Sequence, residues 1–515
     1  MGRIAGIDLG TTFSALAVLN EMGRPETVPN SDGERITPST VFFAEDGVVL
    51  VGEEAVNAVS SEPSKGARWV KRFMGLDEFP DKVAGRKWSP AELSSFVLRK
   101  LKEDCSTQVG EITDVVITVP AYFDEVRRKA TMDAGRLAGL NVVGIINEPT
   151  AAALYYATQY SVMGRIMVFD LGGGTFDVTL MDVNGRQVDI LCSRGDHQLG
   201  GVDFDNAILK IMEKKYKEET DGNLVTDDES RARLIVEAET IKRTLSKRPS
   251  ATALLYGDVG QCKFAIAREK FEESISPLMA RIGMLVEDVL DEAETEPENV
   301  TSVLLVGGST RLPVIQKRLE KIFGFPPTSA VNVDECVALG AAIHAGLRLM
   351  EESPLKVDAG VASGLKDIGL QEVCSHCYGT LAMTQDEKTD RAVLANDVLI
   401  KKNTPIPCKI TKTYYTAAQG QTSVDARVTQ HSTATTDADI ANVVALGSLQ
   451  LPPGRPAGQP VKVTYSYDAD QRMHCVFQDE VSGKKLVLDI DTQAGSMSSS
   501  DVERKAEELE GYSLE

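Results

Sequence analysis

The chain has 515 residues, of which 42% are hydrophobic and 25% charged, and its formal net charge is −21. The length predicts about three to four domain-sized units, and the composition is typical of a soluble globular protein. Nucleic-acid binding needs clustered Lys and Arg to neutralise phosphates, so the charge argues against nucleic acid as a partner. The eight scattered cysteines and the lack of a signal peptide or an apolar run of about 18 residues predict a reduced, cytoplasmic protein without a membrane span.

Strand-like and helix-like segments alternate over residues 1–350. The strand VVITVP (115–120) precedes the helix-patterned DEVRRKATMDAGRLAG (124–139), and a second strand, VVGIIN (142–147), follows it. Alternation of this kind predicts an α/β domain with a mostly parallel sheet.

The composition changes near residue 350. Residues 351–372 begin with a run rich in Pro, Gly and Ser that lacks periodicity, which predicts a linker. From 373 to 491, hydrophobicity alternates with period two between turn signals, which predicts an antiparallel β domain. Residues 492–515 are predicted to form a flexible tail with a short helix stub.

Two stretches of the first domain repeat one pattern. GIDLGTTFSALAV (6–18) and VFDLGGGTFDVTL (168–180) each contain a strand, Asp-Leu, Gly and Thr, an aromatic residue and a second strand. The weaker pair VVITVPAYF (115–123) and VLLVGGSTRLP (303–313) follows in the same order. The repeat predicts two similar lobes that face each other.

Each copy places a glycine-containing turn directly after a buried strand. Backbone N–H groups in such a turn can approach an anion closely, because glycine has no Cβ. A strand-end aspartate beside a phosphate makes sense when Mg²⁺ lies between them, usually through water. A tight hairpin that uses glycine for positive φ is the alternative, but two copies favour phosphate binding. The dinucleotide fingerprint does not fit, because a strand rather than a helix follows the glycines. The predicted loops are Gly10, Thr11 and Thr12, and Gly172, Gly173, Gly174 and Thr175; the predicted carboxylates are Asp8, Asp170 and Asp177.

A base-binding helix is predicted in RLIVEAETIKRTLSKR (233–248). Four polar residues recur at i, i+3, i+4 and i+7 and therefore share one helix face, namely Glu239, Lys242, Arg243 and Ser246. A guanidinium can stack on a purine, while Glu and Ser can bind the ribose or the base edge. A solvated polar face is the simpler interpretation of this helix taken alone. The glycine pair in LLVGGSTRLP (304–313) adds backbone that could close over the base.

Six motifs resemble, in the right order, the heat-shock protein 70 (DnaK-type) chaperones: GIDLGTTFS, VITVPAYF, INEPTAAAL, VFDLGGGTFDV, GDHQLGGVDFD and VLLVGGSTRLP. The resemblance covers residues 3–350 almost throughout and continues weakly over 367–490. It implies an α/β, two-lobed, actin-like ATPase with ribonuclease H-like lobes, followed by an antiparallel β-sandwich. It also implies ATP hydrolysis to ADP with Mg²⁺ and K⁺, coupled to binding and release of unfolded apolar peptides. The partners that it implies are a J-domain co-chaperone and a nucleotide exchange factor.

The resemblance assigns nucleotide roles residue by residue. Lys71 positions the attacking water and Glu148 helps to order it. The phosphates and the cations are held by Asp8, Thr11, Asp170, Thr175 and Asp177. The adenosine is clamped by Glu239, Lys242, Arg243 and Ser246, with Gly308 and Arg311 on the other side and Asp334 closing the site; the nucleotide motifs also contain Gly200, Gly201, Gly307 and Ser309.

Two further sets of residues follow from the same resemblance. A relay between the lobes and the linker consists of Pro120, Arg128, Asp367 and Glu372. Client contacts are an arch over the peptide, formed by Met383 and Ala417, and a pocket floor formed by Val424, Ala426 and Val428.

The sequence also departs from the family pattern. The first lobe is short between residues 75 and 112, and no helical lid follows the β domain. Gly369 and Gln371 replace leucines of the linker, and Gly144 replaces an arginine that couples the lobes to a J-domain. Because docking of the linker depends on apolar burial, at about 1.5–3 kcal/mol per side chain, these losses predict weaker interdomain coupling. Without a lid, peptide association and dissociation should both be fast.

Three functions remain open from the sequence. The leading hypothesis is an ATP-hydrolysing chaperone with a lidless client domain. The second is an ATP-gated scaffold that docks one dedicated protein and has lost general client binding. An actin-like sugar kinase or filament protein shares only the phosphate loops. The lone Cys374-x-x-Cys377 pair is a weak indication of a metal or redox site.

Overall fold

The computed structural model describes residues 3–160, 163–329, 332–352, 354, 357–385, 391–468, 472–489, 497 and 499–515. Residues 3–160 form lobe I, and residues 163–329 form lobe II. A β-sandwich over residues 377–489 packs against both lobes, and the C-terminal residues 499–515 return to lobe I.

Lobe I is a sheet of the order β3-β2-β1-β8-β9 with a small second sheet beside it. Strand β8 is almost continuously apolar, as expected of a parallel strand that is buried on both faces. Its strands are β1 (Arg3–Asp8), β2 (Phe13–Leu19), β3 (Pro25–Thr27), β4 (Thr37–Pro38), β5 (Val41–Phe43), β6 (Val48–Val51), β7 (Gly66–Ala67), β8 (Ile112–Val119) and β9 (Asn141–Asn147). Its helices are α1 (Glu53–Ser61), α2 (Pro90–Val109), α3 (Glu125–Leu137) and α4 (Glu148–Gln159).

Lobe II repeats this plan with a larger helical cover. Its strands are β10 (Met163–Leu171), β11 (Phe176–Asn184), β12 (Gln187–Asp196), β13 (Ser250–Gly257), β14 (Gly260–Ala267), β15 (Val300–Val306) and β16 (Thr328–Ser329). Its helices are α5 (Gly201–Thr220), α6 (Asp228–Lys247), α7 (Arg268–Ser274), α8 (Ser276–Glu292) and α9 (Pro313–Phe323). The main sheet runs β16-β15-β10-β11-β12.

The two lobes share one topology, which confirms the internal repeat. In lobe I, β1 pairs antiparallel with β2 and parallel with β8; in lobe II, β10 pairs antiparallel with β11 and parallel with β15. The sheets are therefore mixed, and the prediction of a mostly parallel sheet was wrong. The reason is local: each glycine-containing turn folds the strand before it back as a hairpin, and a hairpin can only be antiparallel.

Helix α10 (Cys336–Glu352) lies against α4 where the lobes meet. Small side chains allow this close approach, since a Cβ on Gly340 would lie 1.8 Å from the carbonyl oxygen of Ala151. The apolar residues of both helices form one core that is shared by the two sheets. A hinge between the lobes can therefore lie on this pair of helices.

The β-sandwich consists of two four-stranded antiparallel sheets, β19-β18-β22-β23 and β21-β24-β25-β26, with an apolar core between them. This confirms the predicted β-sandwich. The elements after α10 are α11 (Ala359–Leu365), β17 (Gly369–Val373), β18 (Cys377–Gln385), β19 (Ala392–Ile400), β20 (Pro405–Ile406), β21 (Cys408–Tyr415), β22 (Ser423–His431), β23 (Asn442–Gln450), β24 (Pro460–Tyr467), β25 (Met473–Asp479), β26 (Lys485–Asp489), α12 (Ser499–Glu510) and β27 (Ser513–Leu514).

The predicted linker contains regular structure. Strand β17 pairs parallel with β12 of lobe II and antiparallel with β20 of the sandwich, so that it joins both into one sheet. A Cβ on Gly369 would lie 1.8 Å from the side-chain oxygen of Gln187. Backbone pairing thus holds the linker although two leucines of the family pattern are absent.

The predicted flexible tail is also ordered where it is described. Helix α12 packs on α3, and β27 pairs parallel with β6. Among the described residues, no helix combines the length and the apolar character needed to cross a membrane.

Candidate nucleotide site and interdomain joint

The two glycine-containing turns face each other across the cleft between the lobes. Residues 9–12 join β1 to β2, and residues 172–175 join β10 to β11. A Cβ on Gly173 would lie 1.8 Å from the hydroxyl oxygen of Thr12, and a Cβ on Gly174 would lie 2.5 Å from the Thr11 methyl group. A larger residue at either position would force the facing threonine side chain to move. The structure thus brings the two predicted phosphate loops together.

A second glycine pair supports the turn at residues 172–175. The Gly201 N–H donates to the Gly172 carbonyl over 3.0 Å, and the hydroxyl of Ser309 donates to the same oxygen over 2.9 Å. Gly200 is so close that its Cβ would lie 2.6 Å from the Gly174 nitrogen. The turn at residues 172–175 is therefore held in place by its neighbours in the chain fold.

The three predicted carboxylates lie at the strand ends beside these loops. Burial, followed by repulsion from Glu148, raises the pKa of Asp8 to about 7 and that of Asp177 to about 8. The pKa of Asp170 also rises, because the carboxylate is buried among the other acidic groups. Three mutually repelling acids in one buried site are the donor set that a cation would neutralise.

Lys71 is the basic residue that faces these acids. It lies on a 3₁₀ turn, Val70–Phe73, and its ammonium group forms a buried ion pair with Glu148 at the first position of α4. Attraction to Lys71 offsets part of the rise in the pKa of all three aspartates. The pair thus places a positive charge and a further carboxylate in the cleft.

The residues fit Mg²⁺ held through water. Among the described residues, no group of three or more Asp, Glu, His or Cys side chains is arranged to hold a metal ion. Mg²⁺ commonly keeps several waters and binds one or two carboxylates together with substrate phosphates. Asp8 and Asp170, which line the cleft with both loops, satisfy that pattern.

The predicted base-binding helix, α6, borders a neighbouring cleft between α1 and α6. Glu239 and Arg243 line that cleft, and the Arg243 guanidinium lies 5.7 Å from the centroid of the Phe13 ring. Lys242 instead forms an ion pair with Asp205 over 2.8 Å. The Ser246 hydroxyl donates to the Arg243 carbonyl on its own helix. The structure therefore brings two of the four clamp residues together.

The opposite wall of the site comes from the end of β15. Gly307 and Gly308 line the phosphate cleft together with Asp334. Gly307 has a φ of +81°, which only glycine adopts readily, and its N–H donates to the Val333 carbonyl. Arg311 forms an ion pair with Asp334 over 2.6 Å. These predicted residues lie together beside the loops.

Three of the four relay residues lie in one buried cluster. Arg128 donates to the carbonyl groups of Ala121 and Phe123, which follow Pro120, and to the Asn147 side-chain oxygen. The Asn147 amide then donates to Glu372 over 3.0 Å. Asp367 lies apart and is exposed, although its φ of +63° marks a sharp bend at the start of the linker strand.

Comparison with known proteins decides the family. The model of the family "Hsp70 protein" matches residues 4–515. The chain belongs to the Hsp70 family. A relative, "Chaperone protein DnaK" of Methanothermobacter thermautotrophicus, is 37% identical over 529 aligned residues, which cover 100% of this chain and 84% of the relative.

Members of the Hsp70 family are ATP-hydrolysing molecular chaperones, and this chain is an ATP-dependent chaperone of that type. The family membership also confirms the predicted fold of actin-like ATPase lobes followed by a β-sandwich. Nucleotide binding and general binding of unfolded clients and co-chaperones follow from it.

In this Hsp70 the sandwich is joined to lobe I through one buried carboxylate. The hydroxyl groups of Tyr378 and Tyr467 both donate to the same Glu125 oxygen, over 2.5 and 2.8 Å. Burial raises the pKa of Glu125, whereas Arg128 and the two hydroxyls lower it. Lobe I and the two sheets of the sandwich thus meet at one atom.

A second contact joins the sandwich to lobe II. The Lys402 ammonium donates to the Ser193 carbonyl over 2.8 Å and forms an ion pair with Glu292 over 3.2 Å. Asn403 donates to the other Glu292 oxygen over 2.6 Å. Because both lobes hold the sandwich, a rotation between the lobes must strain or break one of these contacts.

The predicted client residues lie in two different environments. Met383 is 56% exposed, and Ala417 is also exposed. Ala426 and Val428 are fully buried in the sandwich core, and Val424 packs against that core. The arch residues are thus accessible, whereas two residues of the predicted pocket floor are covered.

Sequence reasoning missed the joint residues Glu125, Tyr378 and Tyr467. The two tyrosines lie on strands whose alternation predicted only core positions, and each hydroxyl reaches beyond that core to lobe I. Cys374 and Cys377 belong to the same region. Their sulfurs bond to the backbone, Cys374 as donor to the His376 carbonyl and Cys377 as acceptor from the Lys402 N–H.

Proposed function

We propose that the two facing turns hold the triphosphate of ATP and that Asp8 and Asp170 hold its Mg²⁺ through water. Gly10, Thr11 and Thr12 contact the phosphates from lobe I, and residues 172–175 contact them from lobe II. The close packing of Gly173 on Thr12 supports this assignment, since it leaves backbone N–H groups on both sides of one narrow cleft. Mg²⁺ would neutralise charge that develops on the phosphate oxygens.

The hydrolytic step is an in-line attack of water on the γ-phosphate. Lys71 orients that water and stabilises negative charge, while Glu148 accepts a hydrogen bond from it. The buried Lys71–Glu148 pair supports these roles, because neither group needs to move from solvent into the site. We assign K⁺, as a further cation, to the neighbourhood of Asp177.

Loss of the γ-phosphate removes contacts between the lobes and lets them rotate. Pro120, Arg128 and Glu372 transmit this rotation to β17, with Asn147 as the connecting side chain. The bend of the linker at Asp367 accommodates the change in the direction of the chain that this rotation causes. In the proposed domain organisation, residues 1–350 are the ATPase domain, 351–372 the linker, 373–491 the client domain and 492–515 the tail.

A client segment binds the sandwich as an extended strand with side-chain pockets. Met383 and Ala417 contact it directly. Ala426 and Val428 reach a client only after the two sheets rearrange around them, because both are covered here. A J-domain protein and a nucleotide exchange factor act on the ATPase lobes, and a cytoplasmic location stays a prediction.

The observation that carries the nucleotide assignment is the approach of the two glycine-containing turns above the Lys71–Glu148 pair. The test is calorimetric titration of the chain with ATP, with and without Mg²⁺. We expect tight binding that weakens at least tenfold without Mg²⁺ and a much smaller Mg²⁺ effect in Asp170→Asn. Asp189→Asn, an exposed position on the same sheet, is the matched control. Equal heats with and without Mg²⁺ would contradict the assignment.

Peptide binding separates the chaperone from the dedicated scaffold. Family membership supports the chaperone. A set of unrelated apolar heptapeptides should bind the sandwich and accelerate single-turnover hydrolysis. Normal hydrolysis without a response to any peptide would favour the scaffold.

A further inference from the structure

The last seventeen residues, 499–515, form a segment that we name the strap, and it completes lobe I. Val502 and Leu509 of α12 are 7% and 2% exposed within the lobe I core. Tyr512 enters an aromatic cluster, with its ring centroid 5.8 Å from that of Phe43, 5.9 Å from Trp88 and 5.7 Å from Phe96. One face of the strap therefore packs into the lobe I core, while its other face is exposed.

Backbone pairing continues this contact to the end of the chain. β27 adds a parallel strand to β6, with Leu514 opposite Val49. The Glu515 N–H donates to the Val49 carbonyl, and the Val51 N–H donates to the Glu515 carbonyl, each over 3.1 Å. The strap thus extends the small sheet of lobe I, whose edge it covers.

Charged side chains of lobe I contact α12 and the turn that follows it. Arg99 of α2 donates to the carbonyl group of Leu509, near the end of α12, and to that of Tyr512, in the turn that follows. Lys505 pairs with the buried Glu92 over 3.0 Å, and Arg86 pairs with Glu508 over 2.6 Å. These apolar, backbone and ionic contacts join the strap to lobe I.

The strap is attached to the C-terminal strand of the β-sandwich. Nine residues, 490–498, join β26 to α12. A fully extended chain of that length spans at most about 35 Å between the Cα atoms of 489 and 499. At its other end the sandwich is attached to lobe II through β17. If the strap stays on lobe I, the sandwich is held at both of its ends.

We propose that the strap is a second tether, which stays on lobe I throughout the ATPase cycle and limits how far the β-sandwich can leave the lobes. When the joint at Glu125 opens, the sandwich remains within the reach of residues 490–498. A short tether of this kind keeps the effective concentration of the sandwich in the millimolar range and so favours rapid return.

Hydrogen exchange of the full chain tests the proposal. With ADP, we expect the amides of Gly369–Val373 to lose protection at least tenfold relative to a non-hydrolysable ATP analogue, because the joint opens. The amides of 502–515 should change less than twofold between the same two states. Loss of strap protection with ADP in parallel with the linker would overturn the proposal, since the strap would then leave with the sandwich.

A pair of variants tests the strap contact in both nucleotide states. Tyr512→Ala should increase exchange of 502–515 at least tenfold in both nucleotide states, while Glu507→Ala, at an exposed position of α12, should not. A variant with a protease recognition sequence inserted after residue 494 avoids any change in the strap itself. After cleavage, the C-terminal fragment should remain with the ATPase portion in gel filtration with ADP. A fragment that elutes alone would overturn the proposal.

Discussion

Removal of one hydroxyl group from the joint between the sandwich and lobe I should uncouple the two domains. Tyr467→Phe deletes the oxygen that donates to Glu125 over 2.8 Å and leaves the ring in place. Tyr467 is 2% exposed and Glu125 is 7% exposed, so water does not replace the lost donor while the domains are docked. In the separated state both groups meet water, and the substitution has little effect there. The substitution therefore makes the free energy of docking less favourable.

A hydrogen bond to a charged group contributes about 1.5–3 kcal/mol to stability. Loss of that amount should reduce the docking equilibrium constant about 10- to 150-fold. Hydrogen exchange of the Gly369–Val373 amides with a non-hydrolysable ATP analogue measures it, because β17 is protected only when it pairs with β12 and β20. Loss of docking should also raise the fraction of linker that exchanges within seconds.

Tyr465→Phe is the matched control for this experiment. The Tyr465 hydroxyl donates to the Gly379 carbonyl over 2.8 Å, so this substitution removes the same atom inside the sandwich and not from the joint. It should lower the stability of the sandwich without changing linker exchange below its melting temperature. If Tyr467→Phe and Tyr465→Phe expose the linker equally, the joint does not depend on Glu125 and the reasoning is refuted.

Three other outcomes follow from the structure. Lys71→Ala should slow single-turnover hydrolysis on the order of 100-fold, because it removes a buried positive charge at the reacting phosphate. Lys82→Ala, at an exposed position, should leave the rate unchanged. Similar rates in the two variants would contradict the role of Lys71. Burial in the docked linker raises the pKa of Glu372 to about 7 from 4.5, so docking should be strongest below pH 4.5 and weaken by on the order of 3 kcal/mol as the pH rises through 7. Glu372→Gln should reduce the pH dependence of the linker protection factors, which are the exchange rates divided into the intrinsic amide rates at the same pH; an unchanged pH profile of these factors would count against this cause. Gly173→Ala should weaken ATP binding at least tenfold in calorimetry, because its Cβ would lie 1.8 Å from the Thr12 hydroxyl; wild-type affinity with an unchanged circular dichroism spectrum would show that the turns can separate freely.

The two glycine-containing turns were predictable from the sequence because their geometry is local. A strand, an aspartate and a glycine-containing turn define a hairpin within about a dozen residues, and the repeat of that pattern indicated two lobes. The same local order placed Asp8 and Asp170 at equivalent strand ends. The clamp on α6 was less predictable, because Lys242 shares a helix face with Arg243 but is bound to Asp205 of another helix.

The sequence by itself therefore determined the strands, the turns and the acidic residues of the nucleotide cleft, since these depend on neighbours along the chain. Only the tertiary structure decided which distant side chains meet. Tyr378 and Tyr467 reach Glu125 from more than 250 positions away, and Tyr512 enters the lobe I core from the end of the chain. Contacts at such separations leave no periodic pattern, because they depend on how whole domains pack and not on the repeat of a helix or a strand.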